Sequence, residues 1–89
     1  MRIIEGLVLR KLLNENIVTV EGLARVDFSK VISLNETAAY LWNEVQDREF
    51  SLDDLVTLLT DRYDVSEDVA RADAQRMLDS WRDAGLLED

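Results

Sequence analysis

The order of the fold is set by the segment Val31-Ile-Ser-Leu-Asn-Glu-Thr-Ala-Ala-Tyr-Leu-Trp42, in which a strand runs directly into a helix. Val31–Leu34 has the β-branched and apolar character of a short strand. Asn35 is a good helix N-cap, because its side-chain oxygen can accept a backbone N–H that the first turn leaves unpaired. Glu36 then lies in the first turn, where the helix dipole favours an acid. The segment therefore predicts strands before this junction and helices after it.

Upstream of the junction, the pattern predicts a β-hairpin. Leu7–Leu13 has apolar residues in both alternating positions, and its pattern alone fits either a strand or a helix. Residues 14–16 supply a turn signal, and Ile17–Val20 is a β-branched run typical of a strand. Residues 23–28 alternate between apolar and charged side chains, which fits either a strand or an extended loop. Together with Val31–Leu34, the hairpin gives a small three-stranded antiparallel sheet.

Downstream, the sequence predicts three amphipathic helices. The first carries an apolar stripe at helical spacing, namely Ala38, Leu41, Trp42 and Val45. Ser51 caps the second helix, and Asp54 completes the capping-box pattern. Ser66 caps the third, and Gly85 is placed as the left-handed residue just beyond its end. The predicted class is α+β, with the order β-β-β-α-α-α in a winged-helix-like arrangement.

Composition predicts a single domain over residues 1–89, since 47% of the 89 residues are hydrophobic and none is proline. The sequence has no run of 18 apolar residues, so we expect no membrane partner. The absence of cysteine makes the cytoplasm the expected compartment. Cysteine and histidine are both missing, which removes most zinc chemistry and the commonest catalytic nucleophiles and bases.

The net charge of −9 is unevenly distributed along the chain. Residues 1–34 carry five basic and four acidic side chains, whereas residues 35–89 carry five basic and fifteen acidic ones. The acidic helical half would repel a phosphate backbone, so nucleic acid is not an expected partner. The dense acids between Asp53 and Asp68 are interpreted as solvated surface, because a calcium loop usually needs a glycine for its turn. No metal or cofactor site is expected.

Three motifs resemble those of the PqqD-like family, the small protein D of pyrroloquinoline quinone biosynthesis and its relatives. They are Leu34-Asn-Glu-Thr-Ala-Ala-Tyr-Leu-Trp42, Phe50-Ser-Leu-Asp-Asp-Leu-Val-Thr-Leu-Leu-Thr-Asp-Arg-Tyr63 and Asp73-Ala-Gln-Arg-Met-Leu-Asp-Ser-Trp-Arg-Asp-Ala-Gly-Leu-Leu87. Each motif alone is weak, since caps and amphipathic helices are common. Their order and spacing together make the resemblance specific.

The resemblance implies a recognition element for ribosomally synthesised precursor peptides. Such a protein is expected to bind the leader segment as an added strand and to present it to a modifying enzyme, often of the radical-SAM type. The binding edge carried over to this sequence is Val31, Ile32, Ser33 and Leu34. The helical wall carried over is Asp73, Arg76, Met77, Ser80 and Trp81. The mechanism implied is β-augmentation, in which backbone groups supply affinity and side-chain pockets supply selectivity.

Other interpretations compete with this one. Met77 and Trp81 lie on an apolar stripe, so plain core packing is a simpler explanation for them than a peptide cleft. Arg71, Gln75 and Arg82 occupy another flank of the third helix, and the sequence leaves open which flank faces the third strand. A winged-helix nucleic-acid binder and a homodimer that pairs sheet edges are the alternative functions. Catalysis is not expected, because no nucleophile is paired with a base.

Overall fold

The computed structural model describes residues 1–20 and 32–88 of the chain. Its elements, in chain order, are β1 (Arg2–Ile3), β2 (Leu7–Leu12), β3 (Glu15–Val20), β4 (Ile32–Leu34), α1 (Glu36–Val45), α2 (Leu52–Arg62), α3 (Glu67–Asp83) and β5 (Leu87–Glu88). The predicted α+β class, with a three-stranded antiparallel sheet followed by three helices, is confirmed by β2–β4 and α1–α3. The two-residue strands β1 and β5 were not predicted, and they pair with each other as a second, antiparallel sheet.

The β2–β3 hairpin turns earlier than the sequence pattern predicted. Leu12 pairs with Glu15, and the two residues between them, Leu13 and Asn14, have φ values of 50° and 68°. A two-residue turn with positive φ at both positions, as in a type I′ turn, matches the twist of the flanking strands. The turn predicted at residues 14–16 is therefore corrected to Leu13 and Asn14, since Asn16 already belongs to β3.

The strand β4 lies at one edge of the three-stranded sheet, which has the order β2-β3-β4. Its three residues pair antiparallel with residues 16–18 of β3. Val31, predicted as the first residue of this strand, lies outside the described residues. The extended segment predicted at residues 23–28 lies outside them as well.

Side-chain caps begin the three helices at the predicted positions. The Asn35 side chain accepts the backbone N–H of Ala38 at 2.8 Å, at the start of α1. Ser51 and Asp54 exchange both hydrogen bonds of a capping box, at 3.2 and 2.9 Å. Ser66 accepts the N–H of the third residue beyond it, at 3.2 Å. None of the three described helices combines the length and the apolar character that crossing a membrane requires.

A left-handed glycine ends α3, as predicted. Gly85 has a φ of 77°, and its N–H donates to the carbonyl of Arg82 at 3.0 Å. The next amide, that of Leu86, donates to the carbonyl of Trp81 at 2.9 Å. These two bonds define a Schellman motif, which turns the chain back toward the core. The turn places Leu86 in the core and leads directly into β5.

One hydrophobic core joins the helices to the strands. It includes fully buried residues from all three helices and two from the strand half, Ile3 and Leu7. Trp42 of α1 and Trp81 of α3 meet at its centre, with ring centroids 5.4 Å apart and planes at 80°. Such an edge-to-face pair adds specific geometry to a large apolar contact. This ring contact joins α3 to α1 inside the core.

Candidate functional site

A cleft of about 440 Å³ separates the edge strand β4 from α3, and the first turn of α1 closes part of it. β4 contributes all three of its residues, and α3 contributes one flank. The described residues that line the cleft are Ile32, Ser33, Leu34, Asn35, Thr37, Ala38, Asp73, Arg76, Met77, Ser80, Trp81 and Leu86. β4 is followed directly by Asn35, the N-cap of α1, with no linker between them. The position of the strand edge relative to the start of the helix is therefore fixed.

The hairpin turn determines which backbone groups of β3 point toward β4. In a two-residue hairpin, the residues that flank the turn bond to each other, here Leu12 and Glu15. Backbone groups alternate in direction along an antiparallel strand. The N–H and C=O of Glu15 therefore point toward β2, whereas those of Asn16 and Val18 point toward β4.

The same alternation assigns the backbone groups of β4. Leu34 lies opposite Asn16, and Ile32 lies opposite Val18, so both of these β4 residues bond to β3. Ser33 lies between them, and its N–H and C=O point away from β3, toward the open side of the edge strand. A donor and an acceptor suited to an added strand are thus present on this edge.

A side-chain hydrogen bond to β2 agrees with this alternation, and two others join β3 to the end of β4 and the start of α1. The side-chain amide of Gln46 donates to the carbonyl of Leu7 at 2.7 Å. When the alternation is followed along β2 from Leu12, the Leu7 carbonyl points away from β3, where Gln46 can reach it. The buried amide of Asn16 donates to the carbonyl of Leu34 and to the carboxylate of Glu36, both at 3.2 Å. Asn16 therefore fixes the end of β4 to the start of α1.

The α3 wall of the cleft combines apolar surface with one ion pair. Met77 is half-buried, and Trp81 is almost completely buried against Trp42. Asp73 and Arg76 form an ion pair three residues apart on the same flank, and the Arg76 side chain is 77% exposed. An exposed ion pair contributes little to stability, so Arg76 can exchange this partner for another anion at low cost.

The opposite flank of α3 is occupied by contacts with α2 and within α3. Arg71 donates to Asp53 at 2.9 Å and to Glu67 at 3.3 Å. These hydrogen bonds, to Asp53 first and then to Glu67, raise the pKa of Arg71 above its ordinary value. Gln75 donates to Asp79 at 2.9 Å. The flank question left open by the sequence is thus answered, since Asp73, not Arg71, faces β4.

Acidic side chains are scarce among the described residues that line the cleft. Asp73 is the one carboxylate among the described lining residues, and it is already paired with Arg76. Acid–base catalysis by carboxylates needs two groups whose environments separate their pKa values. Among the described residues, no group of three or more acids is placed to hold a metal ion.

The model of one protein family matches residues 9–87 of the 89-residue chain; its description is coenzyme PQQ synthesis protein D, PqqD. The chain belongs to the PqqD family. The match confirms the resemblance drawn from the three sequence motifs. No curated protein and no solved structure matches the chain significantly.

The match to the PqqD family extends from β2 to β5 and so includes every described residue that lines the cleft. Of the nine predicted site residues, eight line it together: Ile32, Ser33, Leu34, Asp73, Arg76, Met77, Ser80 and Trp81. The ninth, Val31, lies outside the described residues. That these residues bind a peptide stays a prediction.

Four lining residues were not predicted as part of the site, namely Asn35, Thr37, Ala38 and Leu86. The first three follow β4 directly, so the strand-to-helix junction itself was the signal that could have identified them. Leu86 had no such signal, because its place in the cleft depends on the Schellman turn that reverses the chain after α3.

Proposed function

We propose that this chain is a non-catalytic peptide-binding module, built as one domain, that binds the leader segment of a ribosomally synthesised precursor peptide. The leader adds as a strand to the open edge of β4 and lies in the cleft against α3. The module then presents the bound peptide to a modifying enzyme, of radical-SAM type by the resemblance. The family description, which names coenzyme PQQ synthesis, supports a role in the biosynthesis of a modified peptide.

The observation that carries this proposal is the orientation of Ser33 at the cleft. Its outward backbone N–H and C=O give an incoming strand one donor and one acceptor. The half-buried side chains of Ile32, Leu34 and Met77 line the same cleft and provide apolar contact for alternate side chains of that strand. Arg76 lies on the exposed rim, where an acidic leader residue can reach it.

The test is an NMR titration of labelled protein with the N-terminal half of a small peptide encoded beside its gene. We expect shifts concentrated in residues 32–34 and 73–81. Ser33→Pro removes the outward donor without touching the pairing with β3, since proline is tolerated at an edge when its nitrogen faces away from the ladder. Its peptide affinity should fall about tenfold.

Lys11→Pro is the matched control, because residue 11 has the same outward direction on the opposite edge of the sheet. Its affinity for the peptide should equal that of the wild type.

A second pair of variants tests whether the peptide occupies the cleft volume. Ser80→Trp fills the cleft, whereas Gln75→Trp places the same side chain on the other flank of α3. Equal affinity in all four folded variants would show that the peptide does not use this cleft.

The two alternative functions are outcomes of the same experiment. A homodimer that pairs β4 edges would raise the sedimentation coefficient with concentration, and Ser33→Pro would abolish that rise. A nucleic-acid binder would show a salt-dependent mobility shift with DNA. The charge of α3 speaks against the second outcome, since residues 66–84 contain five acids and three arginines.

A further inference from the structure

The tip of the β2–β3 hairpin, residues 10–14, carries apolar surface that this chain does not bury. Leu13 is 98% exposed and Leu12 is 51% exposed, which makes them the two most exposed large hydrophobic residues in the described part of the chain. Leucines scattered singly on a surface need no explanation. Two adjacent leucines at the apex of a hairpin form a compact protruding contact.

The backbone at the apex does not favour leucine either. Leu13 has a φ of 50°, in the left-handed region that glycine and asparagine adopt more readily. Neither burial nor backbone geometry within this chain therefore accounts for a leucine at this position. Unfavourable backbone conformations that persist in a fold are found preferentially at functional sites. Leu13 is thus a candidate contact with another molecule.

The hairpin tip lies at one end of the cleft. Asn16, two residues after the turn, pairs with Leu34 and bonds to its carbonyl. Lys11 lies 3.7 Å from the Glu36 carboxylate in the first turn of α1. A strand held along β4 would therefore pass close to the tip as it leaves the cleft beyond Leu34.

The charge of the tip differs from that of the helical half of the protein. Arg10 and Lys11 precede the two leucines, whereas residues 35–89 carry fifteen acids and five basic residues. The Lys11–Glu36 pair is exposed on both sides, so Lys11 can exchange that partner for another carboxylate at little cost. A complementary surface would be apolar at its centre and acidic at its rim.

We propose that the hairpin tip is the docking surface for the modifying enzyme, and that it fits an apolar pocket rimmed by carboxylates on that enzyme. This inference rests on the proposed function, because it assigns the enzyme to a surface beside the cleft and leaves the cleft itself to the peptide. An enzyme docked on Leu12 and Leu13 meets the peptide where it emerges past Leu34. Docking and peptide binding then occur side by side on one module.

The experiment measures two affinities for each variant: one for the peptide encoded beside the gene, and one for the modifying enzyme encoded there. Leu13→Gly removes the apolar contact and also relieves the left-handed backbone, so the variant should fold at least as stably as the wild type. We expect its enzyme affinity to fall about tenfold or more and its peptide affinity to stay unchanged. Val69→Ala, at another exposed apolar residue, is the control and should change neither.

Each other outcome overturns the inference or separates it from the proposed function. Unchanged enzyme affinity in Leu13→Gly, with peptide binding intact, removes the tip as the docking surface and leaves the proposed function standing. A parallel loss of peptide affinity would assign the tip to the peptide site instead. Self-association of the wild type that Leu13→Gly abolishes would make a second copy the occupant. If the wild type binds no peptide, the proposed function fails, while the enzyme affinities still test the tip.

Discussion

Gly85, at the end of α3, has a φ of 77°, which side chains with a Cβ rarely adopt. A Cβ built at this position meets no heavy atom within 4 Å, so substitution there reports backbone strain without a steric clash. Gly85→Val should lower the free energy of unfolding by about 1–2 kcal/mol. In a domain of this size that corresponds to a melting temperature lower by roughly 4–16 °C.

Gly85→Asn is the control for this substitution, because asparagine enters the left-handed region more easily than valine does. Its melting temperature should lie between those of the wild type and the valine variant. If the valine variant had the same melting temperature as the wild type, the left-handed conformation of residue 85 would not be what ends α3.

A second prediction at the level of single residues concerns Tyr40 and alkaline pH. Burial raises the pKa of Tyr40 above its ordinary value of 10.0; the nearby carboxylate of Glu44 raises it further, and the guanidinium of Arg62 partly opposes them. The fold therefore favours the neutral phenol. The stability that results is complete below the unfolded pKa and is lost as the pH rises through the raised pKa.

Chemical unfolding of the wild type and Tyr40→Phe, measured from about pH 8 to about pH 11, tests this linkage. We expect the wild type to lose stability more steeply than the variant at the alkaline end of the range. The difference between the two proteins at neutral pH includes the hydroxyl's 3.4 Å hydrogen bond to the Leu58 carbonyl. Parallel curves would show that the Tyr40 phenol ionises equally easily in both states.

Features of single residues were predictable from sequence where their cause is local. Asn35, Ser51 and Ser66 cap their helices because each cap needs only its own side chain and an amide three residues away. Gly85 was predictable for the same reason. Leu13 was not predictable, because leucine carries no signal for a left-handed turn. The turn signal began at the neighbouring asparagine, so the turn was predicted one residue too late.

At the level of elements, β4 gives the sharpest prediction. Ile32 bonds to β3 through its backbone, so Ile32→Pro removes a ladder hydrogen bond and leaves a carbonyl of β3 without its partner. We expect a loss of about 1–3 kcal/mol in the free energy of unfolding. Ser33→Pro, one residue later, should cost much less, because its nitrogen faces away from the ladder.

Urea unfolding of the two proline variants checks this prediction. A larger loss in Ser33→Pro than in Ile32→Pro would mean that the alternation of backbone groups along β4 is shifted by one residue. Ser33 would then face β3, and the open edge would present the groups of Ile32 and Leu34 instead. The same pair of variants thus tests the geometry on which the proposed peptide binding rests, without any peptide.

The elements of the site differ in how far sequence could predict them. The apolar stripe and the cap predicted the helix α3. The family resemblance predicted which of its residues face the cleft. Helical periodicity alone leaves the rotation of a helix open when it has polar residues on two flanks. Packing answers the question: Ala70, Ala74 and Leu78 bury one face against the core, and this rotation brings Asp73 and Arg76 to β4.

At the level of the whole molecule, the two ends of the described chain meet. The pair β1–β5 brings Arg2 beside Glu88, and the amide of Ile4 donates to the carbonyl of Leu86 at 2.9 Å. The carbonyl of Met1 accepts the backbone N–H of Phe50 at 2.9 Å, which connects the N-terminal end to the segment before α2. Strands of two residues have no periodicity to detect, and their pairing depends on contacts 80 or more residues apart. This closure was therefore beyond prediction from the sequence.

Leu86 connects that closure to both the core and the cleft, since it is fully buried, accepts the amide of Ile4 just after β1 and lines the cleft. Leu86→Ala should cost about 2–5 kcal/mol of unfolding free energy, because the cavity it leaves can only partly collapse. Leu87→Ala, at the half-buried neighbour in β5, removes the same atoms from a partly solvated position and should cost clearly less. Thermal unfolding of both variants measures the difference.

The number of unfolding transitions in Leu86→Ala tests whether the whole domain unfolds as one cooperative unit. Because one core contains residues of β1, β2 and all three helices, the variant should unfold in a single transition at lower temperature. Peptide added at saturating concentration should raise that temperature, because ligand bound to the folded state alone stabilises it. Two separate transitions would contradict this, since they would show that the paired ends open while the helices stay folded. The cleft would then keep its β4 edge and lose the Leu86 part of its lining before the domain unfolds.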